Sequence, residues 1–222
     1  MTCRHCLDAA DLFSERVAGR ELSRYRRRGP STSTRLLLRG LLGQGVENAS
    51  FLDIGGGVGA IQQELLAAGA RQGMGVDASG AYLEAARAEA ERRGTLHRLD
   101  LRRGDVVDLD SEIPDADVVT LDRVLCCYPD MERLVAVSCR HATRVWGAVL
   151  PRESLWVRFG VAILNAVQTV RRKAFRVHLH GVGRVEERVR DQGFVPVASA
   201  RTWLWEVRVF VRTPTPMVAP PG

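Results

Sequence analysis

Between residues 50 and 150, short apolar runs alternate with stretches of helical periodicity, and this alternation constrains the fold more than any other feature of the chain. SFLDI (50–54), QGMGVDAS (72–79), the run up to Asp105, ADVVTLDRVLCCY (116–128) and TRVWGAVLPRE read as strands. The stretches between them, AIQQELLAAGA with its stop at Gly69, GAYLEAARAEAERRG with its stop at Gly94, and DMERLVAVSCRHA, read as helices. Parallel strands need crossover connections, so this succession predicts a parallel sheet with helices on both faces. FVPVASARTWLWEVRVFVRT holds two further strands with hardly any linker, and those must pair antiparallel. The expected fold class is therefore α/β: a doubly wound, mostly parallel seven-stranded sheet ending in a C-terminal antiparallel hairpin.

The 222 residues suit one domain with an appendage. The divisions expected are a basic N-terminal arm over 1–30, a main domain over 31–212 and a Pro-rich disordered tail over 213–222. Apolar residues at 45% and charged residues at 26% read as a soluble globular protein. No apolar run is long enough to span a membrane, and the N-terminus lacks a secretory pattern, so a cytoplasmic location is expected. The net charge of +6 comes from arginines spread along the chain, with Lys173 the only lysine. There is no separate RNA-binding domain and no RNP-type motif, so nucleic acid is not an expected partner. Five cysteines without a signal argue against a disulfide framework. Cys3 and Cys6 flank His5 with zinc-like spacing, but no second ligand pair follows, so no metal is expected.

In FLDIGGGVG (51–59), Asp53 precedes Gly55, Gly56, Gly57 and Gly59. A strand, glycines and then a helix is how open α/β sheets present a ligand site at their strand ends. The glycines let a ligand approach the backbone, and the helix N-terminus adds partial positive charge. Asp53 would repel a diphosphate but suits a ligand with an ammonium group, such as S-adenosylmethionine. Gly55, Gly57 and Ala60 also fit the dinucleotide pattern, which leaves an NAD-type oxidoreductase as the rival enzyme reading. Asp77 ends the second strand, where either cofactor places an acid on its ribose hydroxyls. Asp53, the acid at Asp105 and the closing hairpin favour S-adenosylmethionine.

These residues resemble the class I S-adenosylmethionine-dependent methyltransferases over roughly 50–212. LDIGGGVG, GVDAS, RGDVVDL and ADVVTLDRVLCCYPD are similar, in order and spacing, to that family's first four motifs. The resemblance implies a Rossmann-like methyltransferase fold with S-adenosylmethionine as cofactor and S-adenosylhomocysteine as product. It implies that Asp53, Gly55 and Gly57 border the methionine part and that Asp77 holds the ribose, with Ala78 beside the adenine. Asp105 would read the adenine amino group, Val106 would pack on the ring, and Asp122 and Arg123 would lie near the sulfonium. More narrowly, the YP at Tyr128 and Pro129 is similar to the methyltransferases that esterify magnesium protoporphyrin, with Cys127 where those carry a histidine.

Methyl transfer is an in-line displacement that needs alignment and exclusion of water more than a side-chain base. The acceptor is expected to be a small molecule offering an oxygen or nitrogen nucleophile, a carboxylate or ring-bearing metabolite among the options. Three segments can build its pocket, and each supplies a candidate catalytic residue: Tyr128 after the fourth strand, Tyr25 in an arm acting as a lid, and His178 in RRKAFRVHLH. The helix from Leu155 to Val170 is apolar nearly all round and is therefore expected to be buried, against an aromatic acceptor or in a homodimer. A non-catalytic S-adenosylmethionine-binding module is the remaining alternative.

Overall fold

The computed structural model describes residues 14–171 and 176–213. Cys3, His5, Cys6, Lys173 and the tail beyond Thr213 lie outside the described residues. The chain begins with two helices, α1 (Glu15–Arg28) and α2 (Thr32–Leu42). There follow β1 (Ser50–Ile54), α3 (Ala60–Ala67), β2 (Gln72–Asp77), α4 (Gly80–Arg92), β3 (Leu99–Arg103), β4 (Ala116–Asp122), α5 (Met131–His141) and β5 (Ala142–Pro151). The last elements are α6 (Leu155–Val170), α7 (Val182–Asp191), β6 (Phe194–Arg201) and β7 (Trp205–Arg212).

The seven strands form one sheet in the order β3-β2-β1-β4-β5-β7-β6. β7 is antiparallel to β5 on one side and to β6 on the other, while the remaining pairs are parallel. The strand order reverses between β1 and β4, so a crevice opens above their C-terminal ends. Two expected boundaries shift. β3 stops at Arg103 and leaves Asp105 in the loop; β4 stops at Asp122, and Leu125–Cys127 form a 3-10 turn instead of more strand. The first shift moves Asp105 off the ladder onto the rim, and the second leaves Asp122 as the last paired residue of β4, with Arg123 onward in the loop.

Each sheet face buries its own core. On one, Leu37 and Leu41 of α2 and Leu65 of α3 cover Phe51, Val149 and Val209. On the other, Leu134 and Val135 of α5 and Val185 and Val189 of α7 cover Leu121, Trp146 and Phe210. Trp146 is fully buried; its indole nitrogen donates to Ser138 Oγ at 2.9 Å, and its ring meets Phe210 edge-on. Helix starts follow the capping chemistry: Ser31, Ser79, Asp130 and Ser154 accept from backbone N–H groups three residues on.

The arm is a helix built into the fold. Tyr25 is buried and donates to Glu64 at 2.7 Å, while Tyr82 of α4 donates to Glu21 at 3.0 Å. Arg26 bonds Glu89, a side chain with no exposure that also holds Arg92 and Arg93. Burial opposes the charge of Glu89, but hydrogen bonds from Arg92, Arg26 and Arg93 outweigh it and hold its pKa down at about 2. A carboxyl depressed in the folded state adds stability above the unfolded pKa, and that stability is lost as pH falls through the folded value. Glu89→Gln is therefore expected to destabilise the protein at pH 7 by on the order of 2–3 kcal/mol. The difference from the parent should shrink as pH falls from about 4.5 toward 2, as read by denaturant unfolding at each pH.

Candidate active site

The turn after β1 is left-handed at Gly55, Gly57 and Gly59, with φ of 63°, 54° and 77°. Side chains rarely adopt those angles, and space forbids one at two neighbouring points. A Cβ at Gly55 would meet Val124 Cγ2 at 2.5 Å, and one at Gly56 would meet Asp53 Oδ2 at 2.5 Å. Around Gly57, by contrast, there is open space. The backbone at Gly57 thus faces a cavity, with no side chain in between.

Two carboxylates hold this turn. Asp77, at the end of β2, accepts from Gly57 N at 3.0 Å and from Ser79 N at 2.8 Å. Burial raises its pKa against those two hydrogen bonds. Asp53 lies beneath the turn, 1% exposed, accepting from Thr120 Oγ1 at 2.7 Å and Gln62 Nε2 at 3.1 Å. Desolvation pushes its pKa up to about 7 despite the bonds from Thr120 and Gln62. The sequence suggested that Asp53 accepts from an ammonium group, directly or through water. The structure has both its oxygens engaged by protein donors, and it borders only a small hollow of about 80 Å³ behind the turn.

The main cavity, of about 640 Å³, opens above the C-terminal ends of β1, β2 and β4. Gly55, Gly57, Asp77, Ala78, Asp105 and Val106 form one end of it. Asp122, Arg123, Cys127 and Tyr128 follow along the loop after β4. Trp156, Val161 and Leu164 of α6, with Leu204 and Trp205 before and at the start of β7, close the far end. The residues singled out at four separate strand ends therefore meet around one space, with an apolar chamber attached.

Tyr128 is tied to this group: its hydroxyl donates to Asp105 at 3.0 Å, and Asp105 also accepts from Val107 N at 2.9 Å. Asp122 accepts from Thr34 Oγ1 at 2.6 Å and from Arg123 Nε at 3.0 Å. Arg123 is in the left-handed region at φ 64°, and its guanidinium stands 6.0 Å from the Trp205 ring centre. Cys126 and Cys127 lie side by side on the 3-10 turn with their sulfurs 3.7 Å apart.

Two candidates fall elsewhere. Tyr25 spends its hydroxyl on Glu64 and lines the small hollow behind the glycine turn, because α1 packs against α4 and carries it there. His178 lies on an extended segment whose Val177 borders the cavity. Its ring is stacked on His180 at 5.8 Å, outside the cavity lining. The segment is pinned there by His178 N donating to Cys126 O at 2.7 Å and by His180 Nε2 at 2.8 Å from Tyr128 O. Glu21, Tyr82 and Val124 line the main cavity without having been anticipated. Each had a sufficient local reading, as a helix residue or a strand residue, and nothing in the sequence marked it further.

A family model described as a methyltransferase domain matches residues 51–144. No curated protein sequence matches the chain. Among solved structures, magnesium protoporphyrin IX methyltransferase from Synechocystis PCC 6803 with bound S-adenosylhomocysteine superposes with a TM-score of 0.73 at 17% identity, over 94% of this chain and 100% of that one. Its complex with S-adenosylmethionine gives 0.68 at 16% identity, over 94% and 97%. An O-methyltransferase family protein from Burkholderia thailandensis gives 0.66 at 16% identity, covering 89% of this chain and 60% of that one. These likenesses carry the fold, and the family match shows that residues 51–144 form a methyltransferase domain.

Proposed function

We propose that this methyltransferase modifies a small, ring-bearing and largely apolar acceptor at an oxygen or nitrogen. The observation that carries this reading is the continuity of the cavity. One space of about 640 Å³ runs from the glycine turn and Asp77 to an apolar chamber walled by Trp156, Val161, Leu164 and Trp205. Apolar walls with a few convergent polar groups are the usual make-up of a small-molecule site.

The residues at the polar end fit S-adenosylmethionine. Gly57 leaves room for a ligand against the backbone, and Gly55 lies beside it under Val124. Asp77 is set to accept from the ribose hydroxyls, with Ala78 and the buried Val106 flanking the adenine. Asp105, oriented by Tyr128 and Val107 N, is set to accept from the adenine amino group. Asp122 and Arg123 border the path between the two ends. The bound cofactor supplies an activated methyl group with a good leaving group. What remains for the chain is to hold an acceptor atom in line with that methyl and to keep water out. The aromatic and aliphatic walls at the far end do both, and Tyr128 and Arg123 supply polar contacts at the junction.

Asp77→Ala is expected to weaken S-adenosylhomocysteine binding by about 1.5–3 kcal/mol, since it removes charge-assisted bonds and also frees Gly57 N. Calorimetry showing unchanged affinity would take Asp77 out of the site. Val161→Trp, which fills the far end, should leave that affinity within a few fold. It should cut turnover of any accepted phenol, carboxylate or amine by at least about 10², the scale of a misplaced reactant. Release of S-adenosylhomocysteine is the readout, and full-rate turnover by Val161→Trp would place the acceptor elsewhere.

A further inference from the structure

Helix α6 is apolar and yet uncovered. Of its 16 residues only Gln168 is buried. Trp156 is 78% exposed, Phe159 65% and Val170 84%. At 100° per residue the helix has three sides. Val157, Gly160, Val161 and Leu164 face the cavity. Asn165 and Thr169 face the returning chain: Asn165 exchanges two bonds of 2.9 Å with the Val177 backbone, and Arg176 donates to Thr169 at 3.0 Å. Trp156, Phe159, Ile163, Val167 and Val170, spaced three and four apart, fall within an arc of about 80° on the third side, and all are exposed.

The patch extends beyond the helix. Trp203, at the β6–β7 turn, is 76% exposed. Arg152, just before α6, holds that turn through its backbone N–H on Leu204 O at 2.9 Å and its guanidinium on Trp203 O at 3.4 Å. Contiguous exposed apolar surface rimmed by charge marks an interaction site.

The segment that carries this face has one sign of charge. From Ser154 to His180 there is no aspartate or glutamate, while Arg158, Arg171 and Arg176 among the described residues are cations. A second copy of the chain docked on this face would set those cations against their own image, with no carboxylate in the segment to pair them. An anionic lipid surface complements them and takes up the tryptophans and phenylalanine at its boundary. The helix is too short to cross a bilayer, as is every helix among the described residues, so it lies in the interface plane.

We propose that the outer face of α6, together with the turn at Trp203, docks the enzyme on an anionic phospholipid bilayer. Trp156 and Leu204 belong both to this surface and to the cavity wall, so docking turns the apolar end of the cavity toward lipid.

The test is flotation of the full-length protein with vesicles of phosphatidylcholine alone and of an equal mixture with phosphatidylglycerol. The protein should float with the mixed vesicles, float poorly with the neutral ones, and be released by high salt. Phe159→Ser combined with Trp203→Ser should abolish flotation while S-adenosylhomocysteine affinity and thermal unfolding stay as in the parent, which excludes a folding defect. Arg171→Gln should weaken binding to mixed vesicles about fivefold, as expected for one cation at the surface. Absence of flotation with either vesicle, or flotation by the double variant equal to that of the parent, would overturn the proposal. So would a stable dimer in sedimentation that Phe159→Ser converts to monomer, since the occupant would then be a second copy.

Discussion

One buried carboxylate ties the site together. Asp53 on β1 accepts from Thr120 on β4 and from Gln62 on α3, so it links the two strands flanking the reversal point to the helix that follows the glycine turn. A charge in that position is costly, and desolvation accordingly raises its pKa to about 7. The raised value means that ionising Asp53 subtracts stability as pH climbs from about 4 toward 7. What the arrangement gains is position. The carboxylate occupies the space that a side chain at residue 56 would need, and the turn is forced outward into the left-handed path that exposes the backbone of Gly57. Asp77 then fixes that backbone from the β2 side.

From that point the rest of the site is a matter of register. β1 pairs with β2 and β4 in parallel, so their C-terminal acids arrive on one rim; Asp105 joins from the loop after β3. Thr34, brought over from α2, orients Asp122, and Tyr128 orients Asp105. Neither bond lies within one element. The first exists because α2 packs back over the sheet, the second because the loops after β3 and β4 meet above its rim. The salt-bridged Glu89 has the same architectural part to play for α1, holding it on α4 where Glu21 reaches the cavity wall.

The sheet and the rim of acids around the glycine turn were legible because their signals are local. An apolar run of strand length, an acid at its end and a glycine at a fixed offset are read directly from neighbouring residues, and four strand ends in order and spacing leave little freedom. The apolar end of the cavity was legible only in part, since its contacts are between segments far apart in sequence. Thr34 is one residue of the Ser31 cap cluster, yet it also serves Asp122. Tyr25 had an aromatic ring in an arm expected to close over substrate, but the arm is helical and its buried face turns the ring toward α3 and α4. His178 and His180 alternate along the extended segment and stack on one side, and nothing in that alternation says which side faces the cavity; Val177 takes that position.

Helix α6 shows the same limit most clearly. Its composition alone demands burial, but composition cannot say what does the covering. In the folded chain one side is spent on the cavity and another on the returning segment pinned by Asn165. Those two uses are coupled, because the bond pair at Asn165 sets the rotation of the helix and hence which residues line the chamber. They also fix which residues are left outside: with Val161 and Leu164 turned inward, the three- and four-residue spacing leaves Phe159, Ile163, Val167 and Val170 outside. The exposed apolar face is thus the geometric remainder of lining one end of the cavity with a single helix, and any partner that covers it sits within one helix diameter of that cavity.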